Sequence, residues 1–419
     1  MIPDQQSQLD KYIDLILRVG LNLRRGQRLL VECSLLAGVD IALAPFVRQL
    51  ARAAYDQGAS FVDVIWGDPE LDLIRLQKAP AETLGDYPNW PGAARLEHVE
   101  ACDAFLSVRA DDPDLLAGID SKRIAAHLNG IRRRAQPAAA HLFRNATNWC
   151  VAAVPLPPWA AKVFPDLPSG EQVSRLWQLI FSVCRIDQPD PVASWQSHAA
   201  ELGARAAYLT GKQYNSLRYS GPDIDLRVGL APGHIWNGGA VVGGDGRRFI
   251  PNLPTEEVFT LPDRLGVDGH VTSTRPFEYG GTSIEGMSLR FEKGEVTGFS
   301  ARTGEGVLRE LIHTDEGSSR LGEVSLVPDS SLVARAGVTF HSILFDENAS
   351  CHLAFGNGYR SSLEEADDLT DEEFAVRGGN TSKLHTDFMI GSSAIDVDGL
   401  LPGGQAEPVM RAGEWAFEV

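Results

Sequence analysis

Apolar positions along the chain change texture once, near its middle. Leu9, Tyr12, Ile13, Ile16, Leu17 and Val19 fall on one helical stripe, which Gly20 closes. After the turn at Arg24-Arg25-Gly26, Leu29 to Cys33 reads as a short buried strand, residues 40 to 55 as an amphipathic helix and Ala59 to Trp66 as a second strand. That order is a βαβ unit with a right-handed crossover. Helices near 68–78, 90–101 and 120–134 follow, with strands at Phe105 to Val108 and Trp149 to Val154, then helices near 170–185 and 192–212. An open α/β sheet covered by helices is the economical way to bury these faces. From about Asn215 the chain turns to short β-rich runs separated by Gly, Pro, Asn and Asp: Ile224 to Val228, Phe249, Gly266 to Thr274, Met287 to Phe291 and Glu295 to Phe299. One helix, Glu305 to Thr314, interrupts them. The expectation is an α/β protein, with an open α/β sheet domain over 1–210 and a β-rich α+β domain over 211–419.

Composition narrows the function. A chain of 419 residues exceeds one ordinary core, and 43% hydrophobic, 22% charged and 8% aromatic residues describe a folded protein. No stretch approaches eighteen apolar residues free of charge or Pro, so no membrane span is expected. Met1 to Lys11 has no apolar core behind a basic flank, which reads as no signal peptide and a cytoplasmic protein. The five scattered cysteines contain no C-x-x-C pair, which speaks against a disulfide framework or a sulfur-ligated zinc knuckle. A net charge of -18, with Arg132-Arg133-Arg134 as the one dense basic run, argues against a nucleic-acid partner. No G-x-G-x-x-G follows the first strand and no P-loop is present, so nucleotide chemistry has no support.

Four polar clusters in the β-rich region lie beside apolar runs: Thr255-Glu256-Glu257-Val258, Leu321-Gly-Glu323-Val324, Phe345-Asp-Glu347-Asn-Ala-Ser-Cys-His352 and Leu384-His385-Thr-Asp387-Phe388. Strand residues at i and i+2 share a face, so His385 and Asp387 project together. An imidazole beside a carboxylate suits zinc, cobalt or manganese, although a solvated polar face has the same spacing. Glu347 and His352 stand five apart across a turn, a spacing that brings them together only if the turn folds back. Of the adjacent Glu256 and Glu257, a strand directs only one into a given site. A supply rich in carboxylate and poor in sulfur favours a hydrolytic pair of metals over a closed structural zinc.

The chain also resembles the aminopeptidase T or thermophilic aminopeptidase family, peptidase family M29. Early pieces are Arg18-Val-Gly-Leu-Asn22, Thr147-Asn-Trp149 and Asp187-Gln-Pro-Asp-Pro191. The more specific ones are Asn252-Leu-Pro-Thr-Glu-Glu-Val-Phe-Thr260, Leu321-Gly-Glu323-Val324, Leu344-Phe-Asp-Glu-Asn348, Gly378-Gly-Asn380, His385-x-Asp387-x-Met389-Ile-Gly391 and Asp396-Val-Asp-Gly399, in the family's order. The resemblance implies a metal-dependent aminopeptidase whose β-rich domain is catalytic and binds two divalent ions per chain, zinc, cobalt or manganese, with magnesium also admissible. It places the metal ligands at Glu257, Glu323, Glu347, His352, His385 and Asp387, with Glu323 as the bridge and Tyr359 beside the metals. Tyr359 is then a donor to the oxyanion and Glu256 a candidate proton shuttle. The same resemblance implies a homodimer with active sites facing an enclosed chamber, acting on short peptides or unstructured amino termini. Two other readings stand beside it. One is an iron-dependent dihydroxypyridine-type ring-cleaving dioxygenase using His352, His385 and Asp387 as a facial triad. The other is a non-catalytic metal-binding protein.

Overall fold

The computed structural model describes residues 3–33, 38–110, 112–279 and 282–419. The chain folds into two compact units: one takes the residues up to His198 with the return segment 240–254, the other takes Ala199–Gly239 and Thr255–Val419.

In the first unit, α1 (Pro3–Leu15) carries the expected apolar stripe and runs on into a π-helical turn, Ile16–Gly20. Strands β1 (Arg28–Glu32), β2 (Phe61–Val64), β3 (Ala104–Arg109) and β4 (Trp149–Ala153) form a parallel sheet in the order β2-β1-β3-β4. Ala104, Phe105, Leu106 and Val108 of β3 are all buried, as in a parallel strand covered on both faces. Among the helices, α2 (Ala44–Asp56) buries Phe46, Val47, Leu50 and Ala54, one stripe at helical spacing. It is followed by α3 (Pro69–Lys78), α4 (Trp90–Glu100), α5 (Ser121–Leu142), α6 (Pro157–Val163) and α7 (Ser169–Val183), while α8 (Pro191–Lys212) starts in this unit and passes into the second at Ala199.

Three local expectations are corrected here. The strand expected over Ala59 to Trp66 is broken: β2 stops at Val64 and a short strand, Trp66–Gly67, pairs with Val39–Asp40 instead. The helix expected to end near residue 134 continues to Leu142 through Pro137, because proline removes only one backbone donor when the neighbouring turns hold. No element was expected between the strand ending at Val154 and the helix near 170, yet Pro157 and Pro158 open α6, since proline is compatible with a helix's first turn.

The second unit begins with β5 (Ser216–Gly221), β6 (Ile224–Leu230), β7 (Asn237–Gly238), β8 (Val258–Thr260) and β9 (Pro262–Thr272). It continues with β10 (Ser288–Glu292), β11 (Glu295–Ser300), β12 (Leu321–Leu326), β13 (His352–Gly356) and β14 (His385–Met389), and closes with β15 (Asp396–Leu400), β16 (Ala406–Arg411) and β17 (Glu414–Trp415). Eight of these make one sheet, β11-β10-β9-β6-β5-β15-β16-β17, and five make another, β14-β13-β12-β8-β7. One apolar cluster draws on both, with Leu226, Val228 and Phe291 from the larger sheet and Val324, Leu353, Phe355 and Phe388 from the smaller. Besides α9 (Glu305–Ile312), three short helices interrupt the strands where one was expected: α10 (Leu332–Arg335), α11 (Ile343–Asp346) and α12 (Asp371–Val376). Fewer than two turns are too few to display a helical period. Among the described residues no helix is long and apolar enough to cross a membrane, and none of the five cysteines is in a disulfide.

Candidate metal centre

Strand alternation builds the site. Val324, Leu353, Phe355 and Phe388 of β12, β13 and β14 enter the apolar cluster, so their neighbours Glu323, Ser325, His352, Ala354, His385 and Asp387 face the other way. The ladders then align them. Glu323 is the cross-strand partner of Ala354, Ala354 that of Asp387, Ser325 that of His352, and Gly356 that of His385. Directly opposed residues share a face. Ala354, with only a methyl group, therefore leaves open the space between Glu323 on one side and Asp387 on the other.

Two groups of ligand-type atoms result, Glu257 with Glu323 and His352, and Glu323 with His385 and Asp387. His352 Nε2 lies 3.1 Å from Glu257 Oε2 and 3.4 Å from Glu323 Oε1. His385 Nε2 lies 3.2 Å from Asp387 Oδ1 and 3.6 Å from Glu323 Oε2. One oxygen of Glu323 thus faces each group. The groups differ in access: the His352 side chain is 1% exposed, whereas His385 is 21% exposed.

Backbone carbonyls fix both rings. His352 Nδ1 meets the Ser350 carbonyl at 3.3 Å and His385 Nδ1 meets the Asn357 carbonyl at 2.8 Å. A carbonyl only accepts, so each Nδ1 carries hydrogen and each Nε2 faces carboxylate oxygens. Such an arrangement needs a proton or a cation between nitrogen and oxygen. Ser325 Oγ donates to Glu257 Oε2 at 2.7 Å and fixes that carboxylate in turn.

Electrostatics point the same way. Burial, with the charge of Glu257, raises the Glu323 carboxyl to about 7 despite the hydrogen bond from His352. Burial and the charges of Asp387 and Glu257 push Glu347 well above the carboxylate range. Burial pulls the His385 ring down, but Asp387 and Glu323 outweigh it and hold it at about 10. Burial opposes ionisation of Asp387, yet the charge and hydrogen bond of His385 lower it. Four acids, Glu257 and Glu323 buried and Glu347 and Asp387 half-buried, crowd around two imidazoles, and protons stand where divalent cations would relieve the repulsion. The donor set fits metal ions with mixed oxygen and nitrogen ligands.

The remaining sequence candidates are placed as follows. Glu347, in a single 3-10 turn (Glu347–Ala349), senses the charges of Asp387, Glu257, His352 and Glu323 but is in neither three-residue group. The Tyr359 ring lies tilted against both neighbours, its centroid 4.9 Å from that of His385 and 5.7 Å from that of Phe259. Burial and the charges of Glu323, Asp387, Glu347 and Glu257 raise its hydroxyl well above the usual phenol range. Glu256 is buried beside Glu257, and its N–H donates to Asn348. Sequence reasoning passed over Ser325, Ala354 and Asn348. Ser325 was within reach of the i+2 rule from Glu323 and Asn348 closes one of the quoted motifs, though neither was given a role, whereas Ala354 carries no local signal.

Fold and site together define a two-unit α/β protein whose β-rich unit presents a buried cradle of carboxylates and imidazoles for metal ions. Residues 5–415 match the family described as thermophilic metalloprotease, peptidase M29, and the chain belongs to that family. It is 43% identical over 414 residues to Aminopeptidase 2 of Geobacillus stearothermophilus, covering 99% of each chain. The solved structure of wild-type AmpT from Thermus thermophilus matches with a TM-score of 0.91 at 42% identity, covering 98% of this chain and 100% of that one. A 2,5-dihydroxypyridine dioxygenase from Pseudomonas putida KT2440 matches with a TM-score of 0.50 at 14% identity, covering 99% and 98%, a likeness of fold alone. The dioxygenase reading is set aside. The relatives of high identity are aminopeptidases, among them Aminopeptidase T of Thermus thermophilus, 45% identical over 409 residues and covering 97% of this chain and 98% of that one.

Proposed function

We propose that the chain is a metal-dependent aminopeptidase that binds two divalent ions through Glu257, Glu323, Glu347, His352, His385 and Asp387, with Glu323 between them. The observation that carries this is the placement of one Glu323 oxygen in each ligand group. Family membership and the names of the relatives supply the reaction, release of amino-terminal residues from peptides. Zinc, cobalt and manganese suit the donors, with magnesium also admissible.

When bound, the ions supply Lewis acidity and lower the pKa of water toward neutrality. The protein's own groups do the rest. The Ser350 and Asn357 carbonyls hold His352 and His385 with Nε2 turned inward. Ser325 holds Glu257. Tyr359 keeps its proton throughout the neutral range, so its hydroxyl is a donor for an oxygen that gains negative charge as a peptide carbonyl is attacked. Glu256, buried next to Glu257, is the candidate to carry the proton toward the leaving amine. A cytoplasmic homodimer acting on short peptides or unstructured amino termini completes the reading on the strength of the family resemblance.

The test is to strip the protein with chelator, add back single metals, and assay a peptide panel while counting ions per chain. Two ions per chain and release of first residues are expected. One iron with oxygen uptake, or no cleavage at two ions per chain, overturns the reading.

A further inference from the structure

Four of the six proposed ligands, Glu323, His352, His385 and Asp387, stand on β12, β13 and β14, where ladder register fixes their spacing. The other two do not. Glu257 precedes β8, and Glu347 lies in a one-turn helix. Something else has to set the distance between them.

Asn348 touches both. Its side chain is wholly buried. Oδ1 accepts the Glu256 N–H at 2.7 Å, one residue from Glu257, and Nδ2 reaches Glu347 Oε1 at 3.5 Å while donating to the Leu344 carbonyl at 3.0 Å. Its own carbonyl is held by Ser331 Oγ at 2.9 Å, and Ser331 in turn caps α10 through the Ala334 N–H. One amide therefore ties the backbone beside one ligand to the carboxylate of another across 92 residues of chain.

We infer that Asn348 is a positioning residue, whose amide sets the separation of Glu257 and Glu347 and thereby the affinity for the second metal ion. It is not itself one of the six proposed ligands and acts through Glu257 and Glu347. The inference rests on the two-ion reading above. Loss of an outer partner of a metal ligand typically lowers affinity 10–100-fold.

The experiment titrates zinc into the metal-stripped full-length protein and counts ions per chain by mass spectrometry, for wild type, Asn348→Ala and Asn348→Asp, with circular dichroism as the fold check. Aspartate retains an acceptor for the Glu256 N–H and loses the donor to Glu347. The expected order of affinity for the second ion is wild type, then Asn348→Asp, then Asn348→Ala, with roughly 10–100-fold between first and last. In Asn348→Ala, turnover climbs as free zinc is raised and KM for peptide moves less than the metal affinity does. Wild-type affinity for both ions in a folded Asn348→Ala overturns the inference and leaves the two-ion reading intact. Should Asn348→Ala not fold, Asn348→Asp decides, and an undiminished second-ion affinity in it overturns the inference equally. Fewer than two ions on the wild type overturns the two-ion reading itself.

Discussion

Replacing Glu323 with Gln should have opposite consequences in the metal-free and metal-loaded protein. In the metal-free fold the Glu323 carboxyl is raised from 4.5 to about 7, chiefly by burial. A folded-state pKa above the unfolded one means that the protonated acid is favoured on folding. Its contribution is complete below pH 4.5 and is lost as pH climbs through about 7. At 1.36 kcal/mol per pKa unit, the metal-free wild type at pH 8 carries a penalty of about 3 kcal/mol, which Gln, uncharged and of the same shape, does not. For a unit of about 200 residues this corresponds to a rise of roughly 6–12 °C in Tm. The metal-loaded comparison reverses. Gln offers one neutral oxygen where Glu323 directs one into each group, so stabilisation by added zinc shrinks and peptide cleavage falls with the loss of bound metal. Differential scanning fluorimetry at pH 5 and pH 8, with chelator and with zinc, reads all four states. A metal-free Glu323→Gln protein that is no more stable than wild type at pH 8 would refute the electrostatic argument. Retained turnover would refute the bridge.

Three further outcomes follow from the same geometry. Tyr359→Phe should lower kcat by about 10²–10³ with little change in KM or metal content, the signature of a lost oxyanion donor; an equal loss in metal binding would assign the ring to site assembly instead. Ala354→Leu should fill the space between Glu323 and Asp387, so that the variant folds but binds fewer than two ions by mass spectrometry; two tightly held ions would show that the cross-strand gap is not where metal sits. Metal affinity should rise with pH through about 7, where Glu323 loses its proton, and on to about 10, where His385 does, because protons on Glu323, Glu347 and His385 have to leave when ions enter. Calorimetry in buffers of different ionisation enthalpy measures that release, and none at pH 7 would contradict the assigned protonation.

The change of texture near residue 215 and the pairing of His385 with Asp387 were both legible, because apolar spacing and the i+2 rule are local. The ordered motifs supplied the list of ligand candidates in the same way. Local pattern failed where short elements or proline carry little periodic signal, as at α6, α10 and α11. It also could not say how the candidates meet. Glu323 reaches both groups because β12 sits between β8 and β13 in the sheet, and Ala354 matters only as the residue opposite Glu323 and Asp387. Glu347 stands in a single helical turn outside both three-residue groups, and Asn348 reaches back to a backbone N–H 92 positions earlier in the chain. The sequence by itself determined which side chains were available and the face that adjacent ones share. Register between distant strands, which depends on burying one face of a sheet against the core, decided which of them came within ligand distance.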